Sequence, residues 1–134
     1  MIGGDQNTKG NTLPNISRLL VYAIGGTAKL PPAPARSERK LSPPPATAPA
    51  KTVAAGGALY GTYCGNCHGP GAVNLGILPD LRYSTAITTP DAFRKIVLGG
   101  ALEENGMASF QPVLDNNAAE AIRAFVIAQA NATK

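Results

Sequence analysis

Residues 51–134 predict an all-α domain, and three observations carry that prediction. Apolar residues recur at helical spacing, as at Ile122, Phe125 and Val126. Helix punctuation stands in the right places: Thr89-Pro90-Asp91 offers a capping hydroxyl, a proline for the first helical position and an acid for the first turn. Nothing in this stretch reads as a sheet. Taken in order, a first helix is expected from Val53 to about Tyr63. A second opens after Thr89, runs to Leu98 and stops at Gly99-Gly100. Asp115 caps a last helix that ends near Asn131. No internal repeat is present.

Two segments precede this domain. Residues 1–30 open polar, then give Arg18-Leu19-Leu20-Val21-Tyr22-Ala23-Ile24 before Gly25-Gly26. The run is short, partly β-branched and bounded by turn residues, so it reads as a strand. A lone strand is not stable in water, which leaves two readings: a frayed tail, or the last strand of a preceding domain. As an unpaired edge it would invite self-association. Residues 31–50 hold seven prolines in twenty positions and read as an extended, semi-rigid linker. At ~3.1 Å per residue such a linker reaches roughly 60 Å.

The net charge of +4 belongs to the arm. Residues 1–51 carry seven basic and two acidic side chains, whereas residues 52–134 carry five basic and six acidic. Nucleic-acid binding needs basic residues clustered on a docking surface; these are scattered along a Pro-rich arm, so no nucleic-acid partner is expected. No stretch reaches the roughly 18–20 apolar residues that span a bilayer. Met1–Gly10 lacks a basic region followed by an apolar one, so no export signal is read there.

The chemistry lies in Cys64-Gly65-Asn66-Cys67-His68. C-x-x-C-H is the attachment motif of c-type haem: two thiols add to the haem vinyl groups, and the adjacent His can ligate iron. Composition agrees, because aromatics are only 5% and Trp is absent, leaving apolar bulk for a macrocycle to supply. A structural zinc site needs four ligands, and the chain has two cysteines and one histidine in all. A redox Cys-x-x-Cys pair is expected beside a βαβ pattern, which is absent, and a disulfide between residues three apart would staple almost nothing. Haem attachment normally takes place outside the cytoplasm. Without an export signal, either the signal has been removed or the chain is a piece of something longer.

Elimination narrows the second iron ligand. No other His or Cys exists, and Met1 sits on a polar terminus, which leaves Met107 in Asn105-Gly106-Met107-Ala108-Ser109-Phe110. A Met in such a loop is otherwise gap-filling core, and the iron could instead take a Tyr or keep an open sixth site. Methionine ligation raises the reduction potential and suits electron transfer. The second ring nitrogen of His68 needs an acceptor, for which a backbone carbonyl near Pro79 is a candidate, although Pro79 also serves simply to turn the chain. Arg82 is the one basic residue between the motif and the next helix. It is either a partner for a haem propionate or a solvated surface residue. Tyr60, Leu75, Leu78, Leu81, Ile96, Val97, Leu98 and Phe110 read as apolar packing.

Over residues 52–131 the chain resembles the class I cytochrome c family. Gly56 and Tyr60 stand eight and four residues before Cys64. The resemblance implies that they cross the last helix at Ile122 and Phe125, that the Pro79 carbonyl accepts from His68, and that Met107 ligates iron. The stretches Gly57-Ala58-Leu59-Tyr60, Pro79-Asp80-Leu81-Arg82, Ile96-Val97-Leu98-Gly99-Gly100-Ala101 and Gly106-Met107-Ala108-Ser109-Phe110 narrow it further. Together they resemble the C-terminal haem domain of quinohaemoprotein alcohol dehydrogenases. That family implies a class I cytochrome c fold wrapped around one haem. It also implies a preceding β-propeller that binds pyrroloquinoline quinone and donates electrons, a periplasmic location, and a periplasmic carrier or membrane acceptor. Arg18–Leu30 then resembles the last propeller strand, and residues 31–50 resemble the linker. By itself the chain is expected to be an electron-transfer domain rather than an enzyme. The propeller is missing, so none of its catalytic residues carry over.

Overall fold

Alanine and proline start the first helix earlier than its apolar spacing suggests. The structure is a computed structural model that describes residues 21–29, 32, 40–74 and 78–133. In it α1 spans Ala50–Tyr63, three residues ahead of the expected start. Pro49 holds φ at −58° just before the helix, and its carbonyl accepts from the Val53 N–H at 3.1 Å. Ala50 and Lys51 then favour helix without contributing to an apolar stripe, so periodicity alone sees the helix only from Val53.

The Cys64 N–H closes α1 on the Tyr60 carbonyl at 2.9 Å, and α2 follows as one turn, Gly65–His68. α3 spans Pro90–Val97. Thr89 caps it by accepting from the Ala92 N–H at 3.2 Å, as the Thr-Pro-Asp sequence predicts. Its end is tied by Gly99 N–H to Arg94 O at 3.0 Å and by Ala101 N–H to Lys95 O at 3.2 Å, with Gly100 at φ +65° between them. α4 spans Asn116–Ala132, and Asp115 Oδ1 accepts from the Ala118 N–H at 2.7 Å. Asp115→Ala removes this cap and should cost about 1 kcal/mol, read as a lower denaturation midpoint of the haem-loaded chain.

α1 lies across α4, and glycine makes the crossing close. A Cβ on Gly56 would stand 1.9 Å from the Ala121 carbonyl oxygen, so only a residue without a side chain fits. One turn further along α1, the Tyr60 ring meets Phe125 with centroids 5.1 Å apart. Ile122, Val126 and Ile127 of α4 are buried with Tyr60, and Phe93 and Val97 of α3 join the same core. A short turn of helix over Thr85–Thr88 buries Ile87. Arg123 of α4 secures it by donating through Nη1 to the Ile87 carbonyl at 2.7 Å, while its other donors pair with Glu120.

No strand forms over residues 21–29, where Val21, Tyr22 and Ile24 are fully exposed. Strand pairing needs a neighbour, and no described residue supplies one. Arg18, Leu19 and Leu20 lie outside the described residues, as do Leu30, Pro31 and residues 33–39. The last part of the Pro-rich stretch rests on the domain. Asn131 Nδ2 donates to the Pro44 carbonyl at 2.8 Å, and Pro44–Ala48 borders a groove of about 400 Å³ against Val53, Arg123 and Ile127. Among the described residues no helix is long and apolar enough to cross a membrane.

Candidate haem site

The joint between α1 and α2 sets out the three motif side chains differently. Cys64 is half-buried, Cys67 exposed and His68 buried. The His68 N–H bonds to the Cys64 carbonyl at 2.9 Å, so one helical turn carries all three. The two thiols are not joined. Burial pushes the Cys64 thiol up to about 11, and the neighbouring Cys67 adds to the effect. A catalytic Cys-x-x-Cys pair needs a thiol acidic enough to ionise near neutrality, so this geometry argues against dithiol redox chemistry.

His68 shows what the site is built to hold. Its Nδ1 stands 3.2 Å from the Pro79 carbonyl oxygen, which selects the tautomer that donates from Nδ1. Burial lowers its pKa, while the Pro79 hydrogen bond opposes the shift. The ring is thus a neutral imidazole with a lone pair on Nε2. That atom has no hydrogen-bond partner among the described residues, although the side chain is only 9% exposed. A buried, unsatisfied acceptor is costly unless something binds it, and a metal ion is the natural occupant for an imidazole oriented from its far nitrogen. Two thiols on the same turn complete a donor set that fits a covalently attached haem. Among the described residues no cluster of three or more His, Cys, Asp or Glu offers a different metal site.

The chain leaving the motif is held in place by backbone that tolerates no side chain. Gly69 lies at φ +77°, where an added Cβ would stand 2.1 Å from the Val73 carbonyl oxygen. Tyr60 Oη donates to the Gly69 carbonyl at 2.8 Å, coupling the aromatic of α1 to the turn after His68. The sequence shows Tyr60 as packing alone; its hydroxyl partner depends on a contact nine residues away.

Met107 is half-buried against the core, on a loop tied at several points. Its N–H donates to the Leu102 carbonyl at 3.2 Å, after Gly106 turns the chain at φ +89°. Ser109 Oγ donates to the Leu98 carbonyl at 2.5 Å, and the Phe110 N–H donates to the Val97 carbonyl at 2.8 Å. The Phe110 ring meets Tyr63 edge-on at 6.2 Å, so the loop touches both the end of α3 and the end of α1. The sequence marks Ser109 only by its place in the Gly106–Phe110 stretch. Ser109→Ala should cost about 1 kcal/mol and weaken any optical signature of sulfur on iron in the loaded chain.

Arg82 sits behind Pro79 with its fork on Asp80. Nε donates to Oδ1 at 2.9 Å and Nη2 to Oδ2 at 2.6 Å, while the Arg82 N–H also reaches Oδ1 at 3.1 Å. Nη1 donates to Thr133 Oγ1 at 3.2 Å. Asp80 is 4% exposed, and the sequence marks it only by its place in the Pro79–Arg82 stretch. Leu78 and Leu81 are half-buried beside this turn, and Leu75 lies outside the described residues.

Comparison with known proteins agrees with this geometry. Residues 51–126 match the family described as cytochrome C oxidase, cbb3-type, subunit III. The chain is 45% identical over 116 residues to quinohemoprotein alcohol dehydrogenase ADH IIB of Pseudomonas putida, covering 86% of this chain and 17% of that protein. It is 40% identical over 134 residues to the dehydrogenase subunit of an alcohol dehydrogenase (quinone) of Acetobacter aceti, covering 98% of this chain and 18% of that one. A solved structure of quinohemoprotein alcohol dehydrogenase ADHIIG from Pseudomonas putida superposes with a TM-score of 0.66 at 35% identity, over 81% of this chain and 15% of that one. The chain thus spans less than a fifth of the length of these relatives. On the match over residues 51–126 the chain belongs to the cytochrome c family, with a class I fold, covalently bound haem c and a haem-based electron-transfer function.

Proposed function

We propose that the domain relays single electrons through one haem c with His68 and Met107 as axial ligands. It would receive them from a quinone-bearing dehydrogenase domain and pass them to a periplasmic carrier or membrane acceptor. The observation that carries this reading is the buried His68 ring, fixed through Nδ1 by the Pro79 carbonyl and unpartnered at Nε2. Bound haem supplies one-electron cycling of iron between its ferric and ferrous states. Cys64 and Cys67 would hold the macrocycle by thioether bonds, and His68 would offer its Nε2 lone pair to the iron. Met107 would offer sulfur from a loop that Ser109 and Phe110 secure, a ligation that would raise the potential and disfavour oxygen or peroxide binding. Arg82 offers a propionate the guanidinium protons that Asp80 and Thr133 leave. In this reading the domain by itself acts as a relay. The relatives' names support a quinone-dependent alcohol dehydrogenase as the electron donor, and a periplasmic location is part of this reading.

The test begins with the chain matured in a host that attaches c-type haem. Rapid carbon monoxide binding by the ferrous form would show an open sixth site and sink the Met107 assignment; slow or absent binding supports it. Stopped-flow reduction by a supplied quinoprotein dehydrogenase domain then checks the donor. Removing residues 1–39, which leaves the Pro44–Asn131 contact in place, should lower the rate of that reduction. An unchanged rate would favour a free-standing carrier.

A further inference from the structure

We infer that Asp80 and Arg82 act as a pair of positioning residues for His68, through the Pro79 carbonyl. The inference rests on His68 being an iron ligand, as proposed above, and adds to it what sets the ligand's donor strength.

The direction of the Pro79 carbonyl depends on two torsions. The proline ring fixes φ of residue 79 but leaves its ψ open, and the carbonyl plane is shared with φ of Asp80. Asp80 φ is −70°, and its side chain is held by three donors of Arg82: the backbone N–H, Nε and Nη2. Asp80 therefore cannot turn without breaking a bidentate pair whose side chains are only 12% and 5% exposed. The pair is anchored at its far end as well. Arg82 Nη1 donates to Thr133 Oγ1, whose hydroxyl in turn donates to the Gln129 carbonyl at 2.9 Å in the last turn of α4. A line of contacts thus runs from the C-terminal end of α4 to the acceptor of the His68 proton. Buried ion pairs contribute little net stability once desolvation is counted, and their best-attested use is to select one arrangement. Here the selected arrangement is the peptide plane that faces His68 Nδ1 at 3.2 Å.

A well-aimed acceptor on Nδ1–H makes the far nitrogen a stronger donor and favours ferric iron. Loosening it should raise the reduction potential. Through-space charge predicts something else: removing the Asp80 carboxylate raises the potential, whereas removing the Arg82 cation lowers it or leaves it unchanged. Arg82→Lys separates the two accounts, because it keeps the charge and loses the fork.

The experiment is a redox titration of the full, haem-loaded chain as wild type, Arg82→Lys, Arg82→Gln, Asp80→Asn and the Asp80→Asn/Arg82→Gln double variant. Hydrogen exchange at the His68 Nδ1 proton is followed by NMR in parallel. Expected are upward shifts in all four variants, a double variant no further shifted than the larger single, and faster exchange of that proton. A wild-type potential in Arg82→Lys, a downward shift in Arg82→Gln, or additive shifts would overturn the inference and leave Arg82 acting through its charge alone. Should Asp80→Asn fail to mature, the two Arg82 variants decide alone by sign. Wild-type spectra lacking histidine ligation would instead sink the parent proposal, so the two failures are distinguishable.

Discussion

Gly56→Ala should lower the stability of the haem-loaded chain by about 3 kcal/mol, read as a drop in its denaturation midpoint. The methyl group would stand 1.9 Å from the Ala121 carbonyl oxygen, 2.4 Å from its carbon and 3.1 Å from the Ile122 nitrogen. All three are backbone atoms of α4, so relief requires one helix to move against the other, and Tyr60 and Phe125 move with it. The same helix provides its own controls. A Cβ at Gly57 meets the Phe125 ring at 3.2 Å, and a ring edge can give way, so Gly57→Ala should cost clearly less. A Cβ at Gly61 meets nothing within 4 Å. Gly61→Ala should gain roughly 0.5–1 kcal/mol from reduced backbone entropy in the unfolded chain. Equal effects at positions 56 and 61 would mean that α1 and α4 do not approach this closely.

Met107→Ala should leave haem attached through Cys64 and Cys67 yet change nearly every property of the iron. The weak long-wavelength ferric band that reports sulfur ligation disappears, and ferrous protein binds carbon monoxide quickly. The reduction potential falls on the order of 0.2 V, a fraction of the roughly 0.8 V range that axial ligation covers. Stability should fall as well, because Met107 packs against the core. A potential and spectrum unchanged from wild type would remove Met107 from the iron and return it to gap-filling.

Much of this was written locally. Thr89-Pro90-Asp91 and Asp115 set the starts of α3 and α4 because a cap acts within three residues of itself. The cysteine motif named its own chemistry, because thiols and imidazole must share one turn to reach one macrocycle. Elimination makes Met107 the candidate second ligand, with a tyrosine or an open sixth site as the alternatives. The start of α1 is not legible for a physical reason: Ala50 and Lys51 favour helix but add nothing to an apolar stripe.

Residue type and short-range spacing suffice for the helical class, the Cys-x-x-Cys-His motif and the one methionine within residues 51–134. Which groups meet across the chain follows from how the helices pack, and the folded structure alone shows it. It placed the Ala121 carbonyl against Gly56, the Tyr60 hydroxyl on Gly69, and Ser109 on Leu98. It also turned the guanidinium of Arg82 onto Asp80 and laid Pro44 against Asn131. In the other direction, it left Val21–Ile24 without a strand, since a strand is a property of its neighbours as much as of its own residues. Hydrogen bonds and close approaches between distant positions depend on how the helices pack, and no local pattern encodes the partner.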